Sequence, residues 1–284
     1  MNIKGISNSI TCNNCNNLIP LVKRNCPTCN EDAGVPNVRA VLSKSNIDEL
    51  EKRFNKILSQ EVDTDKINSF VKFVDNNSCV VITMPTIVLN NLLTDHSQIY
   101  SNYENLVNTG VRKPAHINHD SHRIAVGGLL FGSYANEIRY GVLSGNGDGL
   151  STYGDVHCKI KMSAIMKRTT FLEENSYDFV VLYDISPGKS IPPGHTSDWS
   201  RKSILAAIKL VDKIVPCDAD KWADILFSCD GTERSNDDFI EAHIFGGFDS
   251  NAIESIKKDK NKNFSRSEKL ELDIAFAKFK LYQI

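Results

Sequence analysis

The sequence predicts an α+β protein in which a large domain rich in antiparallel strands follows a small metal-binding ribbon. Three observations lead to this prediction. Two Cys-x-x-Cys pairs lie near the N-terminus, apolar residues then recur at helical spacing, and short apolar or alternating segments separated by Gly-rich loops follow. With 284 residues, the chain is long enough for one large domain and a small module.

The cysteines of the two pairs are Cys12, Cys15, Cys26 and Cys29, with ten residues between one pair and the other. A two-residue spacer lets both thiolates of a pair turn toward one point, so two pairs supply the tetrahedral set that Zn²⁺ prefers. The segment is too short to bury a core, so metal binding would supply most of its folding free energy. We therefore predict a structural zinc ribbon at residues 1–36, with two disulfides or free thiols as the alternatives.

The bulk properties of the chain exclude several classes of protein. A formal net charge of −2 and a pI near 6.4 argue against a generally cationic nucleic-acid-binding protein. No apolar stretch approaches the length of a membrane span, and the N-terminus lacks the apolar segment of a secretory signal. The other four cysteines are scattered along the chain. These features predict a cytoplasmic protein in a reducing compartment.

After the ribbon we predict a helical connector at residues 37–78 and a large domain at residues 79–284. Apolar periodicity or composition predicts helices at 46–73, 86–93 and 203–215. Short β-branched or alternating segments predict strands at 79–84, 139–143, 155–162, 178–185 and 239–245. Residues 270–284 fit either a helix or an edge strand.

Residues 239–245 bring a carboxylate and an imidazole to one face of a predicted strand. Alternation places Glu241 and His243 on that face together with Phe239 and Phe245, while the apolar residues between them form the other face. The apolar face is typical of a core, so the first face would line solvent or a cleft. A half-buried glutamate between aromatics is a candidate catalytic group, and an exposed polar strand face is the alternative.

A second candidate site surrounds the Gly-rich loop at 145–149. Arg139 opens the strand before this loop, and Ser151, Thr152 and Tyr153 precede the next strand. An arginine close to hydroxyls and an aromatic ring can clamp a phosphate or a ribose and stack a planar heterocycle. An ordinary β-hairpin with a glycine turn is the alternative.

Two further segments have weaker patterns. His116, His119 and His122 recur every three residues, so they could share a helix face and bind a metal, or they could simply collect in a polar loop. Residues 257–269 carry six Lys or Arg against two acids. Such a run is typical of a solvated helix or loop.

In the order of its segments, the chain resembles ADP-ribosyltransferase-like domains of the type found in bacterial toxins. The similar segments fall within residues 80–255 and are Leu92–Asp95, Asn105–Gly110, Arg123–Ala135, Arg139–Gly141, Thr152–Asp155, Arg168–Phe171, Glu174–Ser176 and Ile240–Gly246. The last resembles the strand that carries the family's catalytic glutamate. There are three departures: Asn175 replaces an acid, Phe239 is not the Gln or Glu of arginine-modifying enzymes, and His243 stands where many relatives have Gln.

The resemblance implies an antiparallel split β-sheet core with flanking helices, and NAD as co-substrate. It implies that Glu241 is catalytic, by bonding the 2′-OH of the NAD ribose and stabilising an oxocarbenium-like state. The residues that it implies for NAD binding are Arg139, Tyr140, Ser151, Thr152, Tyr153 and His243. Arg139 would hold the pyrophosphate or adenine ribose, the tyrosines would wall the nicotinamide, and a hydroxyl of Ser151 or Thr152 would position Glu241 or the ribose.

The expected function is therefore that of an NAD-dependent mono-ADP-ribosyltransferase, a toxin or defence effector that modifies an intracellular protein or nucleic acid. The zinc ribbon would recruit the macromolecular acceptor, and a neutralising partner protein would fit such a role. Two alternatives stay open at this stage. One is a non-catalytic zinc-ribbon protein that binds nucleic acid or protein, and the other is an NAD glycohydrolase with water as acceptor.

Overall fold

The computed structural model describes residues 9–12, 14–20, 23–60, 63–95, 97–113 and 117–282. The strands are β1 (Ser9–Thr11), β2 (Leu18–Pro20), β3 (Cys79–Met84), β4 (Ile138–Ser144), β5 (Val156–Ile160), β6 (Thr169–Leu172), β7 (Thr196–Asp198), β8 (Phe227–Ser228), β9 (Asp238–Phe239), β10 (Glu241–Phe245) and β11 (Ile253–Lys258). The α-helices are α1 (Pro36–Val41), α2 (Lys44–Leu58), α3 (Thr64–Asn77), α4 (Thr86–Leu92), α5 (Tyr103–Asn108), α6 (Ile117–Phe131), α7 (Met162–Ile165), α8 (Ser176–Leu182), α9 (Lys202–Ile214), α10 (Trp222–Ile225) and α11 (Arg266–Tyr282).

Seven strands form one antiparallel sheet in the order β11-β5-β3-β4-β10-β6-β7. One face is covered by the largest apolar cluster, which includes Ile82 of β3 and Ala242 and Ile244 of β10, together with residues of α3 and α9. The opposite face carries smaller apolar clusters and several buried polar side chains. The prediction of an α+β fold with antiparallel strands is confirmed, and the two faces of the sheet differ sharply in polarity.

Most of the predicted strands form, but one does not. The strands predicted at 79–84, 139–143, 155–162 and 239–245 correspond to β3, β4, β5 and the pair β9 and β10. The strand predicted at 178–185 is wrong, because this segment forms most of α8. Asn175 caps the helix by accepting a hydrogen bond from the backbone N–H of Tyr177 at 2.8 Å. The cap and one buried apolar face outweigh the β-branched composition.

The predicted helices also form, with one division. Residues 46–73 comprise two helices, α2 and α3, and Asp63 begins the second by accepting a hydrogen bond from the backbone N–H of Lys66 at 3.0 Å. The helices predicted at 86–93 and 203–215 correspond to α4 and α9, and the C-terminal segment is helical in α11. Within the described ranges, no helix combines the length and apolar character that crossing a membrane requires.

The two cysteine pairs have the same backbone geometry. In each, the N–H of the first cysteine donates to the residue five positions ahead: Cys12 to Asn17 at 2.8 Å, and Cys26 to Glu31 at 2.8 Å. Asn16 and Asn30, which directly follow the second cysteine of each pair, have φ values of 57° and 61°. Asparagine tolerates this left-handed conformation better than most residues, so it suits a turn that folds each pair back on itself.

Helix α1 follows the ribbon immediately and packs against β6, β7 and β10. Pro36 is its first residue, where a missing N–H costs nothing and the fixed φ favours a helical start. The flanking Val35 and Val41 are buried. The segment that joins the ribbon to the rest of the chain is thus part of the packed structure around the sheet.

Candidate functional site

The four cysteines of the ribbon meet at one point. Their sulfur atoms all lie within 4.8 Å of one another, with 3.5 Å between Cys12 and Cys29 and 3.5 Å between Cys15 and Cys26. Four thiolates around one Zn²⁺ would stand about 3.8 Å apart for Zn–S bonds of about 2.3 Å. All four are free cysteines, so the geometry fits a zinc centre and not two disulfides.

A second cluster, the Glu241 site, consists of Glu241, His243 and Ser176. Oε2 of Glu241 accepts hydrogen bonds from the backbone N–H of Ser176 at 2.9 Å and from the hydroxyl of the same residue. Nε2 of His243 lies 3.0 Å from this oxygen and 3.1 Å from Oγ of Ser176. Among the described residues, all hydrogen bonds to the carboxylate are made to Oε2.

Strand pairing and one helix start bring these three residues together. Glu241 and His243 share a face of β10, which is flanked by β4 and β6. Ser176 is the first residue of α8, where backbone N–H groups have no partner within the helix and favour an acceptor with negative charge. The preceding turn is held at both ends: the N–H of Glu173 donates to the carbonyl of His195 at 3.1 Å, and Asn175 caps α8. The turn therefore fixes the donors that hold Glu241.

Two tyrosines lie beside this carboxylate. Tyr140 pairs directly with His243 across β4 and β10, and their ring centroids are 5.4 Å apart in an edge-to-face arrangement. The partial desolvation of its hydroxyl and the negative charge of Glu241 both raise the pKa of Tyr140, although the residue is 37% exposed. The same two causes raise the pKa of Tyr153 to about 12. Both side chains therefore stay neutral near pH 7 and present aromatic surface and a hydroxyl close to Glu241.

Three arginines gather around Tyr153 and Tyr103. The guanidinium of Arg234 lies 4.7 Å from the ring centroid of Tyr153, and that of Arg123 lies 4.2 Å from the ring centroid of Tyr103. Nη2 of Arg112 donates to the backbone carbonyl of Tyr153 at 3.2 Å. Burial lowers the pKa of Arg112, and the positive charges of Arg123 and Arg234 lower it further. We call these five residues the arginine cluster.

The arginine cluster and the Glu241 site both act electrostatically on Tyr140 and Tyr153. Arg123 lowers the pKa of both Tyr140 and Tyr153, whereas Glu241 raises both. A cationic group and an anionic group thus act on the same two rings. Guanidinium groups form paired hydrogen bonds with anionic groups such as phosphate, so the arginine cluster has the chemistry to bind an anionic ligand.

The structure does not bring Arg139 into this region. In the register of β4 and β10, Tyr140 is opposite His243, whereas Arg139 is opposite Ile244 on the apolar face. Nη1 of Arg139 donates to the carbonyl of Asn136 at 3.0 Å, and the side chain is only 6% exposed. Arg139 is therefore a buried structural residue near the start of β4.

Ser151 and Thr152 also lie apart from the carboxylate of Glu241. The hydroxyl of Thr152 donates to Oδ2 of Asp237. Ser151 lines a cavity of about 340 Å³ together with His157 and Asp259. The hydroxyl that the sequence assigned to the positioning of Glu241 is supplied by Ser176 instead.

The structure covers the two weaker sequence patterns only in part. His116 and the side chain of His119 lie outside the described residues, and His122 stacks on Tyr177 with ring centroids 5.4 Å apart. In the basic run at 257–269, three lysines are paired with acids. These pairs are Lys257 with Asp148, Lys260 with Asp148, and Lys262 with Asp155. Much of the positive charge of the run is therefore compensated within the fold.

A second buried carboxylate, Glu173, lies at the end of β6 with different partners. Arg53 of α2 forms a two-pronged ion pair with it, at 2.7 Å to Oε2 and 2.8 Å to Oε1. Nδ1 of His195 lies 2.7 Å from Oε2, and the hydroxyl of Tyr183 lies 3.1 Å from the same nitrogen. Burial raises the pKa of Glu173, but the hydrogen bonds from His195 and Arg53 outweigh burial and lower the pKa overall.

Sequence reasoning identified Glu241, His243, Tyr140 and Tyr153 but not the residues that complete the region. Ser176 had a local signal, because it belongs to the Glu174–Ser176 segment of the resemblance. In the arginine cluster, Arg123 and Tyr153 also lie in segments of the resemblance. Arg112 and Arg234 had no such signal, because only the tertiary fold brings α5, α6 and three separate connecting segments together.

A scan against models of known protein families gave no match to this chain, and a search of curated proteins gave none either.

Proposed function

We propose that this protein is an NAD-dependent ADP-ribosyltransferase in which Glu241 is the catalytic carboxylate. The observation that carries the proposal is the combination of a buried carboxylate held by Ser176 and His243, two neutral tyrosines beside it, and three arginines around one of those tyrosines. This combination suits a substrate with a positively charged aromatic ring at one end and a diphosphate next to it. NAD has both features.

The chemistry requires stabilisation of positive charge. The bond between C1′ of the nicotinamide ribose and the pyridinium nitrogen breaks, and its electron pair leaves with nicotinamide. Positive charge then develops on C1′ and the ring oxygen, as in glycoside cleavage. Glu241 would accept a hydrogen bond from the 2′-OH through Oε1 and stabilise this charge, while Ser176 and His243 keep Oε2 in place. An acceptor oxygen or nitrogen then bonds to C1′ and loses its proton.

The surrounding residues supply binding and orientation. Tyr140 and Tyr153 would form the walls of the nicotinamide pocket, since an electron-rich ring face favours a cationic ring. Arg123 and Arg234 would bind the diphosphate, because guanidinium groups form paired hydrogen bonds with phosphate oxygens. These roles replace the one that the sequence gave to Arg139.

The ribbon fits a structural role. Its four cysteines would hold Zn²⁺, which supplies folding free energy to the segment and takes no part in the chemistry. The surface of the ribbon would then bind a macromolecular acceptor and orient it toward the Glu241 site. An effector that modifies a macromolecule inside a cell needs such a surface. Protein and nucleic acid both fit as acceptors.

Nicotinamide release tests the proposal. The purified full-length protein, loaded with zinc, is incubated with NAD, and nicotinamide is quantified by chromatography. A parallel reaction contains NAD labelled in the adenylate portion and a cell lysate, and is followed by nuclease or protease digestion. We expect nicotinamide release together with label in a macromolecule.

The outcomes separate the alternatives. Label removed by nuclease indicates a nucleic-acid acceptor, and label removed by protease indicates a protein acceptor. Release of free ADP-ribose without labelling would identify an NAD glycohydrolase. No release of nicotinamide with or without lysate would contradict the proposal and favour the non-catalytic binding protein.

A further inference from the structure

We propose that Asn37 is a positioning residue for the Glu241 site, and that the zinc ribbon acts on the site through it. The proposal rests on the proposed function only where it concerns turnover. Its structural part concerns β10 and is measured without NAD.

Asn37 lies between the ribbon and the sheet. It is the second residue of α1, which follows the ribbon immediately, and it is 2% exposed. Its side-chain Nδ2 donates to the backbone carbonyl of His243 at 3.0 Å, to the carbonyl of Arg168 at 3.2 Å and to Oγ1 of Thr170 at 3.3 Å. These acceptors belong to β10, to the residue before β6, and to β6. One amide group therefore ties β10, which carries the site, to its neighbour β6.

The residue that Asn37 contacts on β10 is itself a member of the Glu241 site. His243 carries both the carbonyl that accepts from Asn37 and the imidazole whose Nε2 lies 3.0 Å from Glu241. Thr170 is the direct β6 partner of His243 in the strand register. Fixing this pair of residues fixes the direction from which the His243 ring approaches the carboxylate.

At the other end, α1 is attached to the ribbon by a second side chain. Nη1 of Arg39 donates to the carbonyl of Lys23 at 2.9 Å and to the carbonyl of Gly34 at 2.7 Å. Lys23 lies three residues before Cys26, the first cysteine of the second pair. These carbonyls hold their positions only while the ribbon is folded, and a four-cysteine segment of this size folds through its metal.

The chain of contacts therefore runs from the second cysteine pair to Arg39, along α1 to Asn37, and on to His243. Loss of zinc would release the carbonyls that Arg39 holds, loosen α1 and free the backbone at His243. On this account the ribbon and the connector are part of the site, in contrast to the separate docking module that the sequence indicates.

The test measures amide hydrogen exchange by mass spectrometry in the full-length protein with zinc bound and after chelation. In the wild type, chelation should speed exchange in peptides covering β6 and β10 by about ten-fold or more, the effect of losing one well-placed hydrogen bond. Asn37→Leu should show the faster exchange with zinc still bound, and chelation should then add little. Arg39→Met removes the hydrogen bonds between α1 and the ribbon, at the other end of this series of contacts, and should behave like Asn37→Leu.

A matched control is available at the start of α5. Asn102 is also a buried asparagine, and its Nδ2 donates to the carbonyl of Asn136 at 3.0 Å, away from α1 and His243. Asn102→Leu should leave the response of β10 to chelation intact. If β10 responds to chelation equally in the wild type and in Asn37→Leu, or not at all in the wild type, the proposal is overturned.

Turnover supplies a second and separable readout. For Asn37→Leu we expect kcat for nicotinamide release to fall by about ten-fold with KM within about two-fold, because positioning of Glu241 matters most in the transition state. An unchanged kcat would contradict the positioning role. If the wild type releases no nicotinamide, the proposed function fails, and the exchange experiment still decides whether the ribbon acts on β10.

Discussion

Glu241 and Glu173 are two buried glutamates on neighbouring strands, and their partners differ. Each side chain is 10% exposed. Glu173 faces the guanidinium of Arg53 in a two-pronged ion pair, so a permanent positive charge compensates it. Glu241 is held by a backbone N–H, a hydroxyl and an imidazole, and in the described part of the chain no Arg or Lys pairs with it. The fold uses one carboxylate as a structural anchor and leaves the charge of the other for a ligand.

This difference has a chemical meaning. A carboxylate that is already neutralised by arginine has little electrostatic effect left for a developing cation. A carboxylate held by dipoles is oriented without being neutralised, which is the arrangement that stabilises charge appearing in a transition state. Glu173 also helps to position Glu241, because Glu173 begins the turn that ends at Ser176, whose N–H and hydroxyl bind Glu241.

The largest effect on stability is expected at the anchored carboxylate. Glu173→Gln leaves the Arg53 charge partly buried without its partner, so the free energy of unfolding should fall by about 3 kcal/mol. Glu241→Gln removes no arginine partner and keeps an oxygen for the Ser176 donors, so it should cost about 1 kcal/mol or less. Urea unfolding at pH 7, with zinc present, measures both. Equal losses of unfolding free energy in the two variants would contradict the different roles that we assign to Glu173 and Glu241.

A smaller effect depends on pH. The pKa of Glu173 is lower in the folded protein than the value of about 4.3 expected when unfolded. Its contribution to stability is therefore complete above about pH 4.3 and is lost as the pH falls through the folded pKa. The difference in unfolding free energy between the wild type and Glu173→Gln should be constant from about pH 7 to 5 and shrink below about pH 4.

The ribbon cysteines protonate in the same way in both proteins, so their contribution cancels in this difference. A difference that grows toward acid pH would mean that Glu173 is protonated more easily when folded, and that Arg53 and His195 do not stabilise its charge.

The smallest effect concerns the ring beside Glu241. Tyr153→Ala should raise KM for NAD by about ten-fold, the loss of about one aromatic or cation–π contact. Tyr153→Phe keeps the ring and should change KM by less than about three-fold. Ser151→Ala is the control, because this residue lines the cavity near His157. If Ser151→Ala raised KM for NAD as much as Tyr153→Ala does, the NAD pocket would lie on the His157 side of the Gly-rich loop and our assignment would be wrong.

Part of this site could be predicted from sequence for a simple reason. A period of two places Glu241 and His243 on one strand face whatever the partner strands are, and the spacing of the four cysteines is local. The register between strands is not local, and a shift of one residue reverses which side chains share a face. Arg139 and Tyr140 are adjacent, so only one of them could face Glu241, and the sequence did not say which.

Other features depended on tertiary contacts. The segment after Asn175 has a β-branched and aromatic composition, yet its cap and its packing against α6 make it a helix. Arg112 and Arg234 are more than one hundred residues apart, and only the folded chain brings them and Arg123 to the rings of Tyr103 and Tyr153. Long-range clusters of this kind have no sequence period to reveal them.

The central claim is that the charge of Glu241, and not merely a folded pocket, promotes cleavage of NAD. The most direct measurement is single-turnover nicotinamide release by Glu241→Gln and Glu173→Gln at a temperature where both are folded. For Glu241→Gln we predict a rate about 10²–10³-fold below the wild type with NAD affinity nearly unchanged, and for Glu173→Gln a much smaller loss. A Glu241→Gln protein that releases nicotinamide at the wild-type rate would contradict the claim.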